Sequence, residues 1–346
     1  MMKPEPFAPT ARLRFVTGVV GLLLALCGSL VSCAEPTGSS SAKNAKLTIG
    51  LTYVPNIQFS PFYVAEAKGY YKEAGLSVKL RHHTAGEDLF GGLESGREDA
   101  VLAGGDEMLQ GRSKSVPVVS VAQLYHRYPV SLMVPEKSGI RQAKDLRGKS
   151  VGIPGPYGEA YFALLALLSE GGLTEKDVDV KNIGFTQQAA LVGDKVDGVM
   201  GYVNNEGVGF DKADFPVRSI SPYAGEKELP LVSIGIGARQ SVADKRAGDL
   251  RKFLDATLRG VRFVLSHPEE TVELSRTYVP GLTGEKQKRD ALAVLNATRP
   301  LLKNSAGALG RHDAERWQSM AVFMAEQKLL SKKVDVTSAF SNKYLP

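Results

Sequence analysis

The stretch "KLTIGLTYVPNIQFSPFYVAEAKGYYKEAGL", Lys46–Leu76, passes from one periodicity into another. With Ala45 before it, "AKLTIGLTYV" is a β-like run. After a loop, "SPFYVAEAKGYYKEAGL" sets Phe62, Ala65 and Tyr70 roughly on one helical face, and Gly75 stands where such a helix would end. A strand feeding a helix through a loop is half of a βαβ unit, and the chain continues in kind. "SVKLRHH" reads as a strand, "GEDLFGGLESGRED" as a helix, "AVLAGG" as a strand, "DEMLQGRSKS" as a helix and "VPVVSVAQLY" as a strand. A second series opens near residue 145, with strands in "KDLRGKSVGIPG", "VKNIGF" and "VDGVMGY" and helices in "GEAYFALLALLSEGGL" and "TQQAALVGDK". Such alternation predicts parallel βαβ units and the α/β class. From about Asp244 the pattern is almost wholly helical, with breaks expected at Pro268, Pro280 and Pro300. Two α/β series and a helical tail predict two lobes, the chain crossing over and returning to finish the first.

The N-terminus bears on the compartment. Lys3, Arg12 and Arg14 precede the apolar run "FVTGVVGLLLALCGSL", and "LVSC" ends at Cys33. A basic n-region, a short h-region and small residues before a cleavage point predict a secretory signal over residues 1–32. The run is too short and too rich in glycine for a membrane span. Leu30–Cys33 also resembles a bacterial lipobox, which makes Cys33 the expected lipidated first residue of the mature chain. The chain has two cysteines, Cys27 and Cys33, so cleavage would leave no thiol for a disulfide, a nucleophile or a metal cage. The small polar segment that follows predicts a flexible tether over residues 33–45. The net charge of +6 comes from 43 basic and 37 acidic residues without a basic, aromatic-laced stripe, which argues against nucleic acid. The expected organisation is then lobe 1 over 46–134, lobe 2 over 135–229, and a return to lobe 1 over 230–346.

Open α/β sheets bind ligands outside the carboxyl ends of their strands. That points to the loops Tyr53–Phe62, Gly104–Glu107, Gln123–Pro129, Pro154–Tyr161, Gly184–Gln188 and Gly201–Gly207. Together they carry Tyr, Phe, Asn and Gln with the acids Asp106 and Glu206. Aromatic faces stack on flat rings, and amides offer donors and acceptors to a heterocycle edge. Asn204, Asn205 and Glu206 directly after an apolar strand are costly to bury without partners. The expected ligand residues are Tyr53, Asn56, Phe59, Asp106, Tyr125, Tyr157, Tyr202, Asn204, Asn205 and Glu206. One wall would be Tyr53, Asn56 and Phe59, the other Tyr157, Tyr202 and Asn205, with Asp106 and Glu206 bonding ring N–H or hydroxyl groups. Arg127 is the one arginine in these loops, which weighs against a sulfonate. Catalytic signatures are thin. His82 and His83 are adjacent on a strand and point to opposite faces, His126 lies in a candidate loop, and His267 and His312 are expected at the surface. No HExxH or Ser-His-acid spacing is present.

The segments "YVPNIQFSPFYVAEAKGYYKEAGL", "DLRGKSVGIPG", "IGFTQ" and "GYVNNE" resemble solute-binding proteins of ABC importers in the NMT1/THI5-like family, over about residues 46–210. Within it, "VPNIQFSPFYVA", "YHRYPVSLMV", "GIPGPYGEAY" and "GYVNNE" most resemble the riboflavin-binding branch; sister branches bind a formylated aminopyrimidine precursor of thiamine or small sulfonates. The resemblance implies the type II periplasmic-binding fold, with ligand enclosed between two lobes joined by crossing strands. It implies a lipid-anchored, monomeric receptor outside the cytoplasmic membrane that hands a flat vitamin or precursor to a membrane permease, without a cofactor or metal of its own. The family also contains a pyrimidine synthase with a Cys-rich motif near its iron site. This chain has no cysteine after Cys33, so the expectation is a binding protein and not an enzyme.

Overall fold

The computed structural model of the chain describes residues 44–84, 87–222, 229–304 and 308–346. The expected signal segment, Cys33 and all but the end of the expected tether lie outside them. Ten strands occur among the described residues. They are β1 (Ala45–Leu51), β2 (Leu76–His82), β3 (Ala100–Gly104), β4 (Val118–Gln123), β5 (Val130–Pro135), β6 (Ser150–Ile153), β7 (Asp179–Asn182), β8 (Gly198–Tyr202), β9 (Val217–Ile220) and β10 (Ile234–Arg239). They form two five-stranded sheets, ordered β2-β1-β3-β10-β4 and β7-β6-β8-β5-β9, so the chain has the two-lobed α/β architecture.

The parallel pairs follow the βαβ pattern. β1 pairs with β2 from Ala45↔Leu76 to Leu51↔His82 and with β3 from Ile49↔Ala100, while β6 pairs in parallel with β7 and β8. Each sheet also takes in antiparallel strands. β10 runs antiparallel between β3 and β4, and β5 between β8 and β9. The chain therefore passes between sheets after β4 and again between β9 and β10. An antiparallel insertion leaves no mark on side-chain alternation, since all six residues of β4 and the first five of β5 are buried.

Several expectations change. β1 starts at Ala45, whose N–H donates to the Gly75 carbonyl, so the end of the expected tether is strand. Val130–Pro135 pair only with strands of the second sheet, so the expected lobe boundary after residue 134 falls inside β5. The segment "GEDLFGGLESGRED" contributes only the short helix Gly91–Glu94. The break expected at Pro268 is present: the helix Ala247–Ser266 ends before it, and Pro268 starts the helix Pro268–Ser275, where a missing N–H costs nothing. Pro300 lies inside the helix Glu285–Leu302 instead of breaking it.

The helix Ala247–Ser266 packs on Ser60–Ala67, and Phe253 stacks on Phe62 and Tyr71 at ring distances of 6.5 and 5.6 Å. Gly260 permits this approach, because a Cβ there would collide with the Pro61 carbonyl oxygen. No helix among the described residues is long and apolar enough to cross a membrane.

Candidate functional site

The ten expected ligand residues fall into three groups. Tyr53 and Tyr157 are exposed in the loops after β1 and β6, at 41% and 57%. Asn56, Tyr202, Asn205 and Glu206 are half-buried. Phe59, Asp106, Tyr125 and Asn204 are buried and engaged by the protein.

The first wall is only partly available. Asn56 caps the turn Ile57–Phe59 by accepting from the Gln58 N–H, and the Phe59 ring packs edge-on against His82 at 5.3 Å. His82 also bonds the Tyr63 hydroxyl and the Tyr53 carbonyl, each at 2.9 Å. In this conformation Phe59 is core, and Tyr53 is the side chain of that wall that meets solvent. Tyr125 faces Thr298 and Asn204, and the Asn204 amide donates to the Thr298 hydroxyl at 2.9 Å. Asn204 thus joins the second lobe to the tail helix Glu285–Leu302.

The Tyr202–Gly207 corner is built locally. β8 ends in a single π turn, Val203–Gly207. The Tyr202 N–H donates to Glu206 Oε2 at 2.7 Å, and the Asn205 amide donates to Glu206 Oε1 at 3.1 Å. Burial raises the Glu206 carboxyl pKa, and the bond from the Tyr202 backbone offsets part of that rise. Asn205 and Glu206 line a cavity of about 720 Å³ with Phe185, Gln188, Phe215 and Val294. Lys212 is on the same wall and is paired with Asp290 of the tail helix at 3.0 Å. Phe185, 72% exposed in the loop after β7, gave only a weak sequence signal, a lone aromatic among Gly, Thr and Gln.

Where the lobes meet, carboxyl groups gather. Asp106 is not solvent-facing: Oδ2 accepts from the Tyr128 hydroxyl at 2.7 Å and Oδ1 from the Glu107 N–H at 2.7 Å. In this conformation it organises protein and does not present a free acceptor to a ligand. Glu159, which the sequence did not single out, is 2% exposed. It accepts from the Ser233 hydroxyl at 2.7 Å and from the Tyr202 hydroxyl at 2.9 Å. Glu107 accepts from the Gly104 N–H at 2.9 Å. Burial pushes all three carboxyls up. The charges of Glu159 and Glu107 add to the effect at Asp106, and Glu159 reaches about 8 with help from Glu107.

The histidines separate as neighbours on a strand should: His82 turns to Tyr63, and His83 bonds Glu98 at 2.9 Å. His267 is exposed as expected. His312 is not; it is 4% exposed beside Trp317 and Ser120. No group of three or more His, Cys, Asp or Glu among the described residues is placed to hold a metal ion.

Two α/β lobes joined by two crossings, with polar turns and exposed rings at strand ends, define a ligand-binding fold of the periplasmic type. Residues 56–271 match the family described as NMT1/THI5 like, and the chain belongs to that family. It is 33% identical over 354 residues to the riboflavin-binding protein RibY of Chloroflexus aurantiacus, covering 97% of this chain and 98% of the relative. It is 26% identical over 331 residues to the formylaminopyrimidine-binding protein of Halalkalibacterium halodurans, covering 94% and 98%. Lower-identity relatives include proteins named as 4-amino-5-hydroxymethyl-2-methylpyrimidine phosphate synthases. Among solved structures, the periplasmic aliphatic sulphonate binding protein SsuA of Escherichia coli superposes with a TM-score of 0.69 at 18% identity, over 87% of this chain and 99% of that one.

Proposed function

We propose that the protein is an extracytoplasmic solute-binding lipoprotein of an ABC importer, anchored through Cys33, that captures a flat heterocycle of the riboflavin kind between its lobes and passes it as a monomer to a membrane permease. The observation that carries this reading is the Tyr202–Gly207 corner, where an apolar strand runs directly into amides and an acid on a 720 Å³ cavity. That volume lies in the range of small-molecule sites. Phe185 and Phe215 offer faces for stacking, and Asn205, Glu206 and Gln188 offer edges for a ring's donors and acceptors. The likeness to a riboflavin-binding relative along almost the whole chain supports the choice of flavin. Exposed Tyr53 and Tyr157, one in each lobe, are the rings we assign to the ligand's outer faces. Hinge closure would bring both lobes onto the ligand.

The second reading is a thiamine pyrimidine precursor, favoured by the formylaminopyrimidine-binding relative. A sulfonate fits less well, since the cation on the cavity wall, Lys212, is already paired with Asp290. An enzyme in the same cleft is a reading of a different class, and bound iron or turnover of a pyrimidine precursor by the purified protein would establish it. The deciding experiment is titration of the purified chain with riboflavin, followed by quenching of flavin fluorescence. Saturable quenching is expected, and Tyr202→Ala or Asn205→Ala should each weaken it about tenfold, the equivalent of ~1.4 kcal/mol. No quenching up to high micromolar ligand would sink the flavin assignment and move the test to the pyrimidines.

A further inference from the structure

The helices Gly105–Ser113 and Gly158–Glu170 begin on opposite lobes and pack against each other. Their first turns interlock reciprocally. A Cβ on Gly104 would lie 3.2 Å from Glu159 Cγ and Oε1, and one on Gly158 would lie 3.2 Å from Glu107 Oε1. Each helix thus sends a carboxyl side chain to the residue preceding or opening the other. Two helix N-termini brought together are two positive dipole ends, so acids between them are electrostatically welcome. Those ends amount to about one elementary charge in total. Asp106, Glu107 and Glu159 would supply three negative charges, and no Lys, Arg or His among the described residues forms a salt bridge to any of them. The remaining groups facing Glu159 are the phenols of Tyr125, Tyr128 and Tyr202 and the Ser233 hydroxyl. The basic side chains His126, Arg127 and Arg316 line a separate cavity of about 290 Å³ whose wall includes Tyr128 and Ser233.

Ser233 belongs with the first lobe. It stands immediately before β10, and its carbonyl accepts from the Gly105 N–H at 3.1 Å. Tyr202 ends β8 of the second. Glu159 therefore holds one group from each side with its two oxygens. We infer that Glu159, in its protonated form, is a positioning residue that ties the lobes at their juncture and orients the Tyr202 phenol for the ligand. The inference deepens the proposed receptor function and rests on it for the ligand's part. A neutral carboxyl suits the site because it removes one of three crowded charges, and the hydroxyls of Ser233 and Tyr202 can turn to accept its proton. Glu159's raised pKa, driven first by burial and then by the Glu107 charge, agrees with a proton held at neutral pH.

The test compares the wild type with Glu159→Gln and Glu159→Ala by two readouts. In riboflavin titrations the wild-type affinity is expected to fall as pH rises through about 8, approaching tenfold per pH unit above it. Glu159→Gln, an isostere of the neutral carboxyl, should lose that dependence, and Glu159→Ala should bind weakly at every pH. The second readout needs no ligand. The difference in melting temperature between wild type and Glu159→Gln should shift against the wild type from pH 5 to pH 8, because an unfolded glutamate is ionised across that range while the folded one holds its proton until about 8. A constant difference across that range, or equal pH profiles of affinity, overturns the inference. Absence of riboflavin binding at all pH values would count against the flavin reading alone, and the melting series would still decide the role of Glu159.

Discussion

Glu98 and Glu159 are both buried carboxyl groups, 1% and 2% exposed, yet their surroundings are opposite. Glu98 sits inside the first lobe, bonded to the Arg81 guanidinium and to His83, with Arg81 continuing to Glu87. The Arg81 guanidinium supplies positive charge, and both partners come from one lobe. Glu159 sits where the lobes meet, among hydroxyls and other acids, and holds groups from both. A charge paired within one folding unit is a fixture of that unit. A charge left to share a proton between two units can respond to their separation. The contrast distinguishes an acid that builds a lobe from one that links lobes.

The largest effect should come from breaking the first kind. Glu98→Ala would leave the quarter-exposed Arg81 guanidinium with Glu87 as its remaining carboxylate and His83 without its partner, a loss of about 1–3 kcal/mol for a buried polar group left unsatisfied. Urea unfolding measures it. A loss under about 1 kcal/mol would mean that water or Glu87 replaces the carboxylate, and the contrast with Glu159 would weaken.

The strand–helix alternation was legible because each helix and parallel strand carries its own periodicity. The Tyr202–Glu206 corner was legible because amides and an acid after an apolar strand need a reason. Glu98 and Glu159 were not. In "GRED" and "PYGEAY" each is one acid in a segment that reads as a solvent-facing turn or helix start, and only strands and helices far along the chain bury it. The same holds for His312, expected at the surface beside Arg311 and instead enclosed by β4 and the helix Ala314–Glu326. Asp106 failed differently: its position after β3 was read correctly, but Tyr128 and the Glu107 N–H occupy both its oxygens. Sequence shows what a residue offers, while nonlocal packing decides who takes it.

His312 supplies an effect of intermediate size and opposite sign to Glu159. The Trp317 N–H donates to His312 Nδ1 at 3.3 Å, which leaves Nε2 to carry the proton toward Ser120 Oγ, also at 3.3 Å. Burial, with the neighbouring His126 charge adding to it, lowers the ring's pKa to about 3. An unfolded histidine titrates near 6.5, so between the two values the unfolded chain binds the extra proton and stability falls as pH falls, by up to ~1.4 kcal/mol per unit. Glu159 acts the other way, its contribution being full below the ordinary glutamate pKa and lost as pH rises through about 8. His312→Gln should therefore flatten the acid side of a stability–pH curve measured by urea midpoints and leave the alkaline side alone. If both sides change together, the two groups are coupled and the comparison must be redrawn.

The smallest effect tests the juncture through its backbone. Gly158 has φ of +70°, where a side chain is strained, and its added Cβ would press on Glu107 Oε1 at 3.2 Å. Gly158→Ala should cost about 1–2 kcal/mol for the left-handed conformation, with little more for the contact, because a Glu107 side chain can yield a few tenths of an ångström. The corresponding change beside the fixed acid, Gly92→Ala, involves no positive φ and places its Cβ 2.5 Å from the carboxyl of Glu98, whose Oε1 both Arg81 and His83 bond. The informative quantity is how each cost varies with pH. At Gly158 the added Cβ takes room from Glu107 inside the cluster of acids, so its penalty in urea unfolding should grow from pH 6 to pH 9 as the cluster ionises. A penalty that stays flat would show that the acids at the juncture have room to separate, and that the fixed and the yielding carboxyl differ in their partners but not in their freedom.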